Sequence, residues 1–455
     1  MTPGARAQAA TEILDAIAAE GAPADLVAGG YLRARRYIGA KDRAAVAVIV
    51  YGVLRHRAQL DWWIARTREG KDRGTFAPDG RQRVLAWLAI GEGWEAAKIG
   101  AEFDGDRFRP KALDRREAAL ADKLAGRTID HPDQPDWVRF NYPQWVEDRL
   151  RARFGPGFAN EMAALATTAP LDLRINPLKS TRAAAIDELR SAGLKVEPTP
   201  ISPLGVRVEG RPPLGEIAAY RDGRIEVQDE GSQLAALLVD AKPGMRVCDF
   251  CAGAGGKTLA IAAMMANKGH VVACDVSQKR LEGATRRLRR AGVHNVERRN
   301  LSGERDPWVK RHAGGFDRVL VDAPCTGTGT WRRNPDARWT LLPNDLVELA
   351  ELQRRILDSA ARLVKPGGRL IYVTCSLLHD ENEQQAEWFS SAWRDFANLS
   401  LAKIWTHTIG LDYPGEGPFL HLSPGRHGTD GFFIAAFERM ASRTNGGAPE
   451  PGATG

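Results

Sequence analysis

The chain has 455 residues, of which 43% are hydrophobic and 27% charged, and a formal net charge of +7. This length allows two or three domains that each bury a core, and the positive charge favours a polyanionic partner. No apolar run reaches the roughly 20 residues that cross a bilayer, and the first residues lack a signal-peptide core. The sequence therefore predicts a cytoplasmic protein without a membrane partner.

The first 128 residues are predicted to form an all-helical domain. They are rich in Ala, Leu and Arg and carry apolar residues at helical spacing, as in Ile13, Leu14 and Ile17. Their tryptophans either pack in the core or, with the interleaved arginines, form an RNA-facing surface. Residues 127–135, with two prolines and little apolar content, are typical of a linker.

Residues 129–225 mix helical patterns with short strand patterns, at 171–175 and 194–197, and predict a small α/β subdomain. From 226 to 440 strands and helices alternate, which indicates a parallel, doubly wound sheet of the Rossmann-like α/β class. Residues 441–455 are mostly Gly, Pro, Ala, Ser and Thr, and we expect this tail to be disordered.

A glycine-rich turn, Asp249 to Thr258, follows the first strand of this alternation. It is not a P-loop, because Cys251 occupies the position that requires glycine, and it does not fit the dinucleotide fingerprint, whose third glycine would fall on Thr258. Asp275, at the end of the next strand, has the spacing that suits a ribose diol. The pattern favours a nucleoside cofactor without a long phosphate tail, of which S-adenosylmethionine is the commonest on this kind of sheet.

All five cysteines lie between Cys248 and Cys375, a distribution that indicates reduced thiols rather than a disulfide framework. Cys325 and Cys375 each follow an apolar run typical of a buried parallel strand. The carboxyl ends of such strands are where doubly wound sheets place their chemistry. A cofactor turn with two thiols at the same edge indicates covalent catalysis on a poorly reactive ring, and no metal site is expected.

Two basic segments leave alternatives open. The loop after Asp322 places two tryptophans around three arginines, up to Trp339. It either stacks bases and grips phosphates or packs its tryptophans inward. The stretch Arg286 to Arg290 is either a solvated helix face or a basic patch.

Several motifs in order resemble the Sun/Fmu family of RNA cytosine-C5 methyltransferases. They are Asp249 to Thr258, Asp322 to Asp336, Thr374-Cys375-Ser376 with Glu381-Asn382-Glu383, Leu173 to Asn176, Gln228 to Gln233 and Thr429 to Phe433. The resemblance covers residues 137–440 and implies an S-adenosylmethionine-dependent methyltransferase fold. It also implies that the helical domain is similar to the NusB-type RNA-binding domain of the bacterial ribosomal RNA members.

By this resemblance Cys375 is the nucleophile that adds to cytosine C6. Asp322 is the acid near N3, and Cys325 serves the release of the adduct. Lys257 either lowers a thiol pKa or contacts the base. The implied cofactor contacts are Cys251, Ala252, Gly253, Ala254, Gly255, Gly256 and Lys257 at the methionine end, Asp322 nearby, and Asp275 at the ribose.

The adenine side departs from the family pattern, because Leu301 stands where the family usually has Asp. Either the neighbouring Asn300 supplies the adenine contact or the cofactor is bound more weakly. The sequence as a whole predicts a monomeric enzyme that methylates C5 of cytosine in RNA, most of all ribosomal RNA. A catalytically weak ribosome-assembly factor and a transfer RNA methyltransferase remain alternatives. A DNA cytosine-C5 enzyme is disfavoured, since Thr374-Cys375 rather than Pro324-Cys325 carries the nucleophile motif.

Overall fold

A computed structural model describes residues 1–68 and 77–441. The chain forms two compact units, a helical unit (Met1–Ala169 with Gly327–Pro343) and an α/β unit (Pro170–Thr326 with Asn344–Gly455). Among the described residues, none of the helices combines the length and the apolar character that a bilayer crossing requires. Apart from Ala441, the tail predicted to be disordered lies outside the described residues.

The α-helices of the described residues, in chain order, are α1 (Pro3–Glu20), α2 (Ala24–Ala34), α3 (Ala40–Arg55), α4 (Arg57–Thr67), α5 (Gly80–Ala86), α6 (Ala96–Glu102), α7 (Arg115–Leu124), α8 (Asp136–Arg139), α9 (Glu147–Phe154), α10 (Phe158–Ala166), α11 (Arg182–Ser191), α12 (Ala218–Arg221), α13 (Glu230–Leu237), α14 (Gly256–Met264), α15 (Gln278–Ala291), α16 (Pro307–Arg311), α17 (Ala337–Thr340), α18 (Pro343–Leu363), α19 (Glu383–Ala392), α20 (Leu401–Thr408) and α21 (Pro424–His427). Helix α5 continues into a π-helical turn, Trp87–Gly91.

The strands are β1 (Leu171–Ile175), β2 (Val196–Pro198), β3 (Gly205–Val208), β4 (Ile225–Val227), β5 (Arg246–Asp249), β6 (His270–Asp275), β7 (Val296–Asn300), β8 (Phe316–Asp322), β9 (Val364–Thr374), β10 (Phe396–Asn398), β11 (Leu420–Leu422) and β12 (Phe432–Arg439). All of them belong to the α/β unit.

The helical unit is built on the apolar stripes that the sequence predicts. Ile13 of α1 and Val46 of α3 are fully buried in one core cluster, which also contains Trp63. The segment interpreted as a linker packs within this unit, since Trp63 Nε1 donates to the carbonyl of Ile129 at 3.0 Å and Gln59 donates to Asp130 at 2.8 Å. The helical unit therefore extends past that segment, to Ala169, and the predicted domain boundaries at 128 and 225 stay predictions.

The α/β unit contains two sheets. The small one is antiparallel, with the strand order β2-β3-β1-β4, and its apolar side chains pack against α11. The large one has the order β10-β12-β9-β8-β5-β6-β7, with β11 paired to β12. Strands β5 to β9 are mutually parallel, as predicted.

The structure adds strands that the predicted alternation did not include, because β12 runs antiparallel to β9 and pairs with β10 and β11 on its other side. The sequence periodicity that predicted β5 to β9 does not reveal whether further strands join the sheet beside β9 in the antiparallel direction. Since β5 lies between β6 and β8, the strand order reverses at β5. Ligands of open α/β sheets bind at such a switch point, beyond the carboxyl ends of the strands.

Candidate active site

The glycine-rich turn connects β5 to α14 at the switch point. Gly253 and Gly255 adopt positive φ angles of 54° and 79°, which glycine accepts without strain. A Cβ on Gly255 would also lie 3.1 Å from the Cβ of Ala284, so glycine permits the close packing of α15 here. The turn is closed by the amide of Gly255, which donates to the carbonyl of Ala252 at 2.9 Å.

Asp275 at the end of β6 is fixed by the backbone around it. Its two carboxylate oxygens accept from the amides of Gly253 at 2.8 Å and Ser277 at 2.7 Å. Each oxygen keeps a second lone pair. The carboxylate is therefore held in one orientation and can still accept from the hydroxyls of a ligand.

A cavity of about 480 Å³ opens beside this turn, within the usual range of small-molecule sites. The predicted cofactor residues on its wall are Cys251, Ala252, Gly253, Ala254, Gly256, Lys257, Asp275 and Asp322. The wall also includes residues that the sequence did not assign to the cofactor, among them Ser232, Val276, Arg280, Gly303 and Glu304. Ser232 lies on α13 within the motif Gln228 to Gln233, Arg280 lies on α15 and the other three lie in loops, so only the fold assigns them to the cavity.

Asn300, which the sequence offered as an adenine contact, is not on the wall of this cavity. Its side chain is exposed and its Nδ2 donates to the carbonyl of Asp275 at 3.0 Å, whereas Leu301 lies on the cavity wall. Asn300 thus supports the strand end rather than lining the cavity. Gly255 likewise shapes the turn without lying on the wall.

Lys257 and Asp322 form an ion pair on the wall, with Nζ 2.7 Å from Oδ2. Burial lowers the pKa of Lys257, but the charge of Asp322 and its hydrogen bond raise it more, so that the pKa lies above the usual value. The pair therefore keeps a protonated ammonium next to a carboxylate at the carboxyl ends of β5 and β8. Asp249 lies beneath the turn and forms no ion pair with any of the described residues, and burial raises its pKa to about 7.

Cys325 and Cys375 lie together where the sequence predicted, in the loops that follow β8 and β9. Their Sγ atoms are 3.4 Å apart and both residues are partly exposed. Cys248 and Cys274 form a second pair, 4.0 Å apart, but both are fully buried in the sheet. Burial raises the pKa of Cys251 well above that of a free thiol, so it is a poor nucleophile.

The arginine- and tryptophan-rich loop is part of the helical unit and packs inward there. Arg338 is 1% exposed and donates to the carbonyls of Asn141 at 2.8 Å and Leu165 at 2.6 Å. Asp336 accepts from the amide of Ala24, at the start of α2, at 2.9 Å. Trp331 is buried as well. Of the two alternatives for this loop, packing within the fold is the one observed for these residues.

The basic stretch on α15 is divided between structure and solvent. Arg290 and Arg287 form ion pairs with Glu226 at 2.6 and 3.5 Å, and Arg287 donates to the carbonyl of Ala254 in the glycine turn at 2.7 Å. Arg286 and Arg289 are exposed. One face of the stretch thus stabilises the cofactor turn and the other meets solvent.

A larger cavity, of about 1000 Å³, lies elsewhere in the α/β unit. Its wall includes Lys310, Arg362, Trp393 and Arg439. None of the predicted site residues lies on it, and we therefore place the candidate site at the smaller cavity. Within residues 1–68 and 77–441, no group of three or more His, Cys, Asp or Glu side chains is arranged to hold a metal ion.

The chain is similar to named ribosomal RNA methyltransferases over most of its length. The family described as 16S rRNA methyltransferase RsmB/F matches residues 236–438, and the RsmF/B-like ferredoxin-like domain matches residues 142–214. The ribosomal RNA small subunit methyltransferase B of Salmonella paratyphi B is 32% identical over 412 residues, which are 87% of this chain and 90% of that protein. The protein of the same name from Salmonella newport is 31% identical over the same share.

Solved structures show the same fold. The crystal structure of PH0851 superposes with a TM-score of 0.76 at 26% identity and covers 95% of this chain and 99% of its own. A methyltransferase homolog protein from Pyrococcus horikoshii has a TM-score of 0.57 at 29% identity, over 67% of this chain and 98% of its own. The predicted Rossmann-like methyltransferase fold is confirmed.

Proposed function

The chain belongs to the family of 16S rRNA methyltransferases RsmB/F, and from this membership we propose that it methylates C5 of a cytosine in RNA, with ribosomal RNA as the substrate. Its cofactor is S-adenosylmethionine. The observation that carries the proposal is the 3.4 Å separation of the Cys325 and Cys375 Sγ atoms. A covalent route to C5 needs one group to form the adduct and another to end it, and two adjacent thiols supply both.

The residues of the cavity fit this cofactor. The turn offers backbone groups to the methionine end, the fixed carboxylate of Asp275 can accept from both ribose hydroxyls, and Leu301 gives the adenine side an apolar wall. When bound, S-adenosylmethionine supplies an electrophilic methyl group. We propose that Asn300 acts only indirectly, through the backbone of Asp275.

Attack on the base is assigned to Cys375. Cytosine C5 is too electron-poor to accept a methyl group directly, so the Cys375 thiolate adds to C6 and turns the ring into an enamine. Asp322 relays to N3 the proton that the ring takes up with the electron density, and the Lys257 ammonium, to which Asp322 is hydrogen-bonded, supplies it. Lys257 also orients Asp322 through their 2.7 Å hydrogen bond.

Release of the product is assigned to Cys325. Once C5 carries the methyl group, its proton must leave so that the C5–C6 double bond re-forms and the Cys375 sulfur is expelled. Cys325 lies beside Cys375 and can take this proton as a thiolate. Its loss should leave the attack intact and trap the RNA on Cys375.

Proposals about the domains, the cellular location and the oligomeric state follow from the family and the sequence. We propose that residues 1–128 form a NusB-like RNA-binding domain, that 129–225 and 226–440 form the subdomain and the methyltransferase domain, and that the protein acts as a cytoplasmic monomer. RNA binding is supported by the net charge of +7 and by the similarity to ribosomal RNA methyltransferases.

The experiment is a trapping assay with the Cys325→Ala protein, total RNA from its source and S-adenosylmethionine. We expect a band of retarded mobility on a denaturing gel, which disappears in the Cys325→Ala/Cys375→Ala double variant. Cys325→Ala/Cys248→Ala is the matched control, since Cys248 is a buried thiol of the same unit, and it should keep the band.

Sequencing of the trapped RNA then identifies the substrate. Ribosomal RNA would support the proposal, whereas transfer RNA would replace the substrate and leave the chemistry unchanged. No band from a Cys325→Ala protein that binds S-adenosylmethionine would contradict the covalent mechanism and favour an assembly factor.

A further inference from the structure

A buried polar cluster lies behind the two thiols in the α/β unit and has no role in the chemistry proposed above. It consists of Gln353 on α18 and the dipeptide Glu381–Asn382, which precedes α19. Gln353 and Glu381 are fully buried and Asn382 is 1% exposed. Polar groups buried at this depth are costly unless they are hydrogen-bonded, so the contacts they make indicate their purpose.

The loops that carry the thiols need support from outside the sheet. The parallel ladder between β8 and β9 ends with the pair Asp322 and Val373, and one further bond runs from the amide of Ala323 to the carbonyl of Val373 at 2.9 Å. Cys325 and Cys375 both lie beyond this point. The ladder therefore fixes where the loops begin but not how far apart the two sulfur atoms lie.

The cluster binds the residues on either side of Cys325. The Glu381 carboxylate accepts from the amide of Thr326 at 2.8 Å and from the Thr326 hydroxyl. Gln353 Nε2 donates to the carbonyl of Pro324 at 2.9 Å and to Glu381 at 3.0 Å. The residue before Cys325 and the residue after it are thus tied to one carboxylate.

The same dipeptide binds the residues on either side of Cys375. Asn382 Nδ2 donates to the carbonyl of Ser376 at 2.9 Å, and Asn382 Oδ1 accepts from the hydroxyl of Thr374 at 2.6 Å. The hydroxyls of Thr326 and Ser376 are 3.2 Å apart and join the two halves. Tyr372 donates its hydroxyl to the carbonyl of Glu381 at 2.6 Å and anchors the dipeptide to β9.

We propose that Glu381 is a positioning residue which, with Asn382 and Gln353, holds the Cys325 loop against the Cys375 loop and so fixes the separation of the two thiols. Its partners are neutral donors, and burial raises its pKa despite the hydrogen bonds that lower it. Its carboxylate accepts from the hydroxyl of Thr326, after Cys325, and from the side chain of Ser376, after Cys375, so this acid contacts both loops at once. The catalytic consequence rests on the roles proposed above for Cys375 and Cys325.

This consequence is a selective loss of release. Attack by Cys375 needs only its own loop, which Asn382 holds, whereas release needs Cys325 next to the adduct. Removing Glu381 frees the Cys325 side first. The variant should therefore form the RNA adduct and accumulate it, as the Cys325→Ala protein does.

The test measures the thiol separation directly, on the full-length protein without RNA. Diamide takes two electrons and two protons from the two thiols, is reduced to the hydrazine, and leaves a disulfide that peptide mass spectrometry maps to Cys325 and Cys375. We expect Glu381→Ala to slow this cross-link by roughly tenfold or more. Glu381→Gln, which keeps one acceptor oxygen, should recover most of the rate.

The matched control is Glu230→Ala. Glu230 is another fully buried carboxylate of the α/β unit and accepts from the amides of Ile201 at 2.6 Å and Ser202 at 2.7 Å. Its loss should destabilise the unit without changing the cross-linking rate. If Glu381→Ala does not fold, Thr326→Val replaces it, because this change removes one of the hydroxyl donors to Glu381, and Thr326→Ser is its conservative partner.

A folded Glu381→Ala protein that forms the disulfide as fast as the parent would overturn the positioning role. So would equal rates for Thr326→Val and Thr326→Ser. Absence of an RNA adduct in every variant, Cys325→Ala included, would instead refute the proposed function, and the cross-linking rates would still decide the positioning role.

Discussion

Lys257 in the α/β unit and Arg338 in the helical unit are both buried cations from segments that the sequence singled out, yet the fold uses them in opposite ways. Lys257 meets the carboxylate of Asp322 on a cavity wall, and its pKa lies above the usual value. Arg338 donates to the carbonyls of Asn141 and Leu165, and burial lowers its pKa to about 9.

The difference lies in what the donors face. An ammonium that shares a cavity wall with a carboxylate still has donors for a ligand, because Lys carries three. A guanidinium whose two terminal nitrogens donate to carbonyls of its own unit, as in Arg338, stabilises that unit. A buried basic residue in a segment that the sequence singled out is therefore a functional group in the case of Lys257 and a structural group in the case of Arg338.

The largest expected effect comes from Asp322→Asn, which leaves Lys257 buried without its counter-charge. We expect a loss of about 3 kcal/mol in the free energy of unfolding, reduced from the cost at a fully buried pair because Asp322 is one-third exposed. Urea unfolding checks it. Asp358→Asn, which breaks the exposed pair with Arg362, should cost little.

The same variant reverses a pH dependence. In the parent the pKa of Lys257 is raised, so its stabilisation is present below the unfolded pKa and is lost as the pH rises through the folded pKa. Without Asp322, burial lowers the folded pKa below the unfolded one, and this contribution to stability rises with pH. Between pH 8 and 10, which lies below both pKa values of Lys257 in the parent, this contribution should stay constant in the parent and rise with pH in the variant, and equal slopes in urea unfolding would contradict the pairing.

A smaller effect is expected from Arg338→Met, which leaves the carbonyls of Asn141 and Leu165 without their donor. The free energy of unfolding should fall by about 2 kcal/mol, with Arg338→Lys intermediate because one ammonium replaces a fork of donors. Calorimetry should find the affinity for S-adenosylmethionine unchanged. Full stability with weakened RNA binding would instead make Arg338 a substrate contact.

The smallest effect is expected from Asn300→Ala. Among the described residues, its side-chain amide hydrogen-bonds the carbonyl of Asp275 alone. The dissociation constant of S-adenosylmethionine should therefore change by less than about threefold. Leu301→Ala removes part of the cavity wall and should weaken binding more. A larger loss for Asn300→Ala than for Leu301→Ala would return the adenine contact to Asn300.

Periodicity and motifs predicted much of the α/β unit. The predicted alternation of strands and helices contains a strand at 270–275 and a helix at 278–291, and β6 and α15 have these bounds, because each is delimited by its own turn and cap residues. The antiparallel edge strands β10 to β12 were missed. Their place in the sheet depends on pairing with β9, which is distant in sequence, and a short apolar run does not indicate which strand it will pair with.

The sequence by itself determined which groups stand at the carboxyl edge of the sheet: the glycine turn, Asp275, Asp322 and the two cysteines all follow recognisable strands. Only the tertiary structure decided the 3.4 Å between Cys325 and Cys375, because that distance depends on Gln353 and Glu381. The tertiary structure also decided that Arg338 donates to the carbonyls of Asn141 and Leu165, because a side chain's partners are set by packing between segments that are distant in sequence.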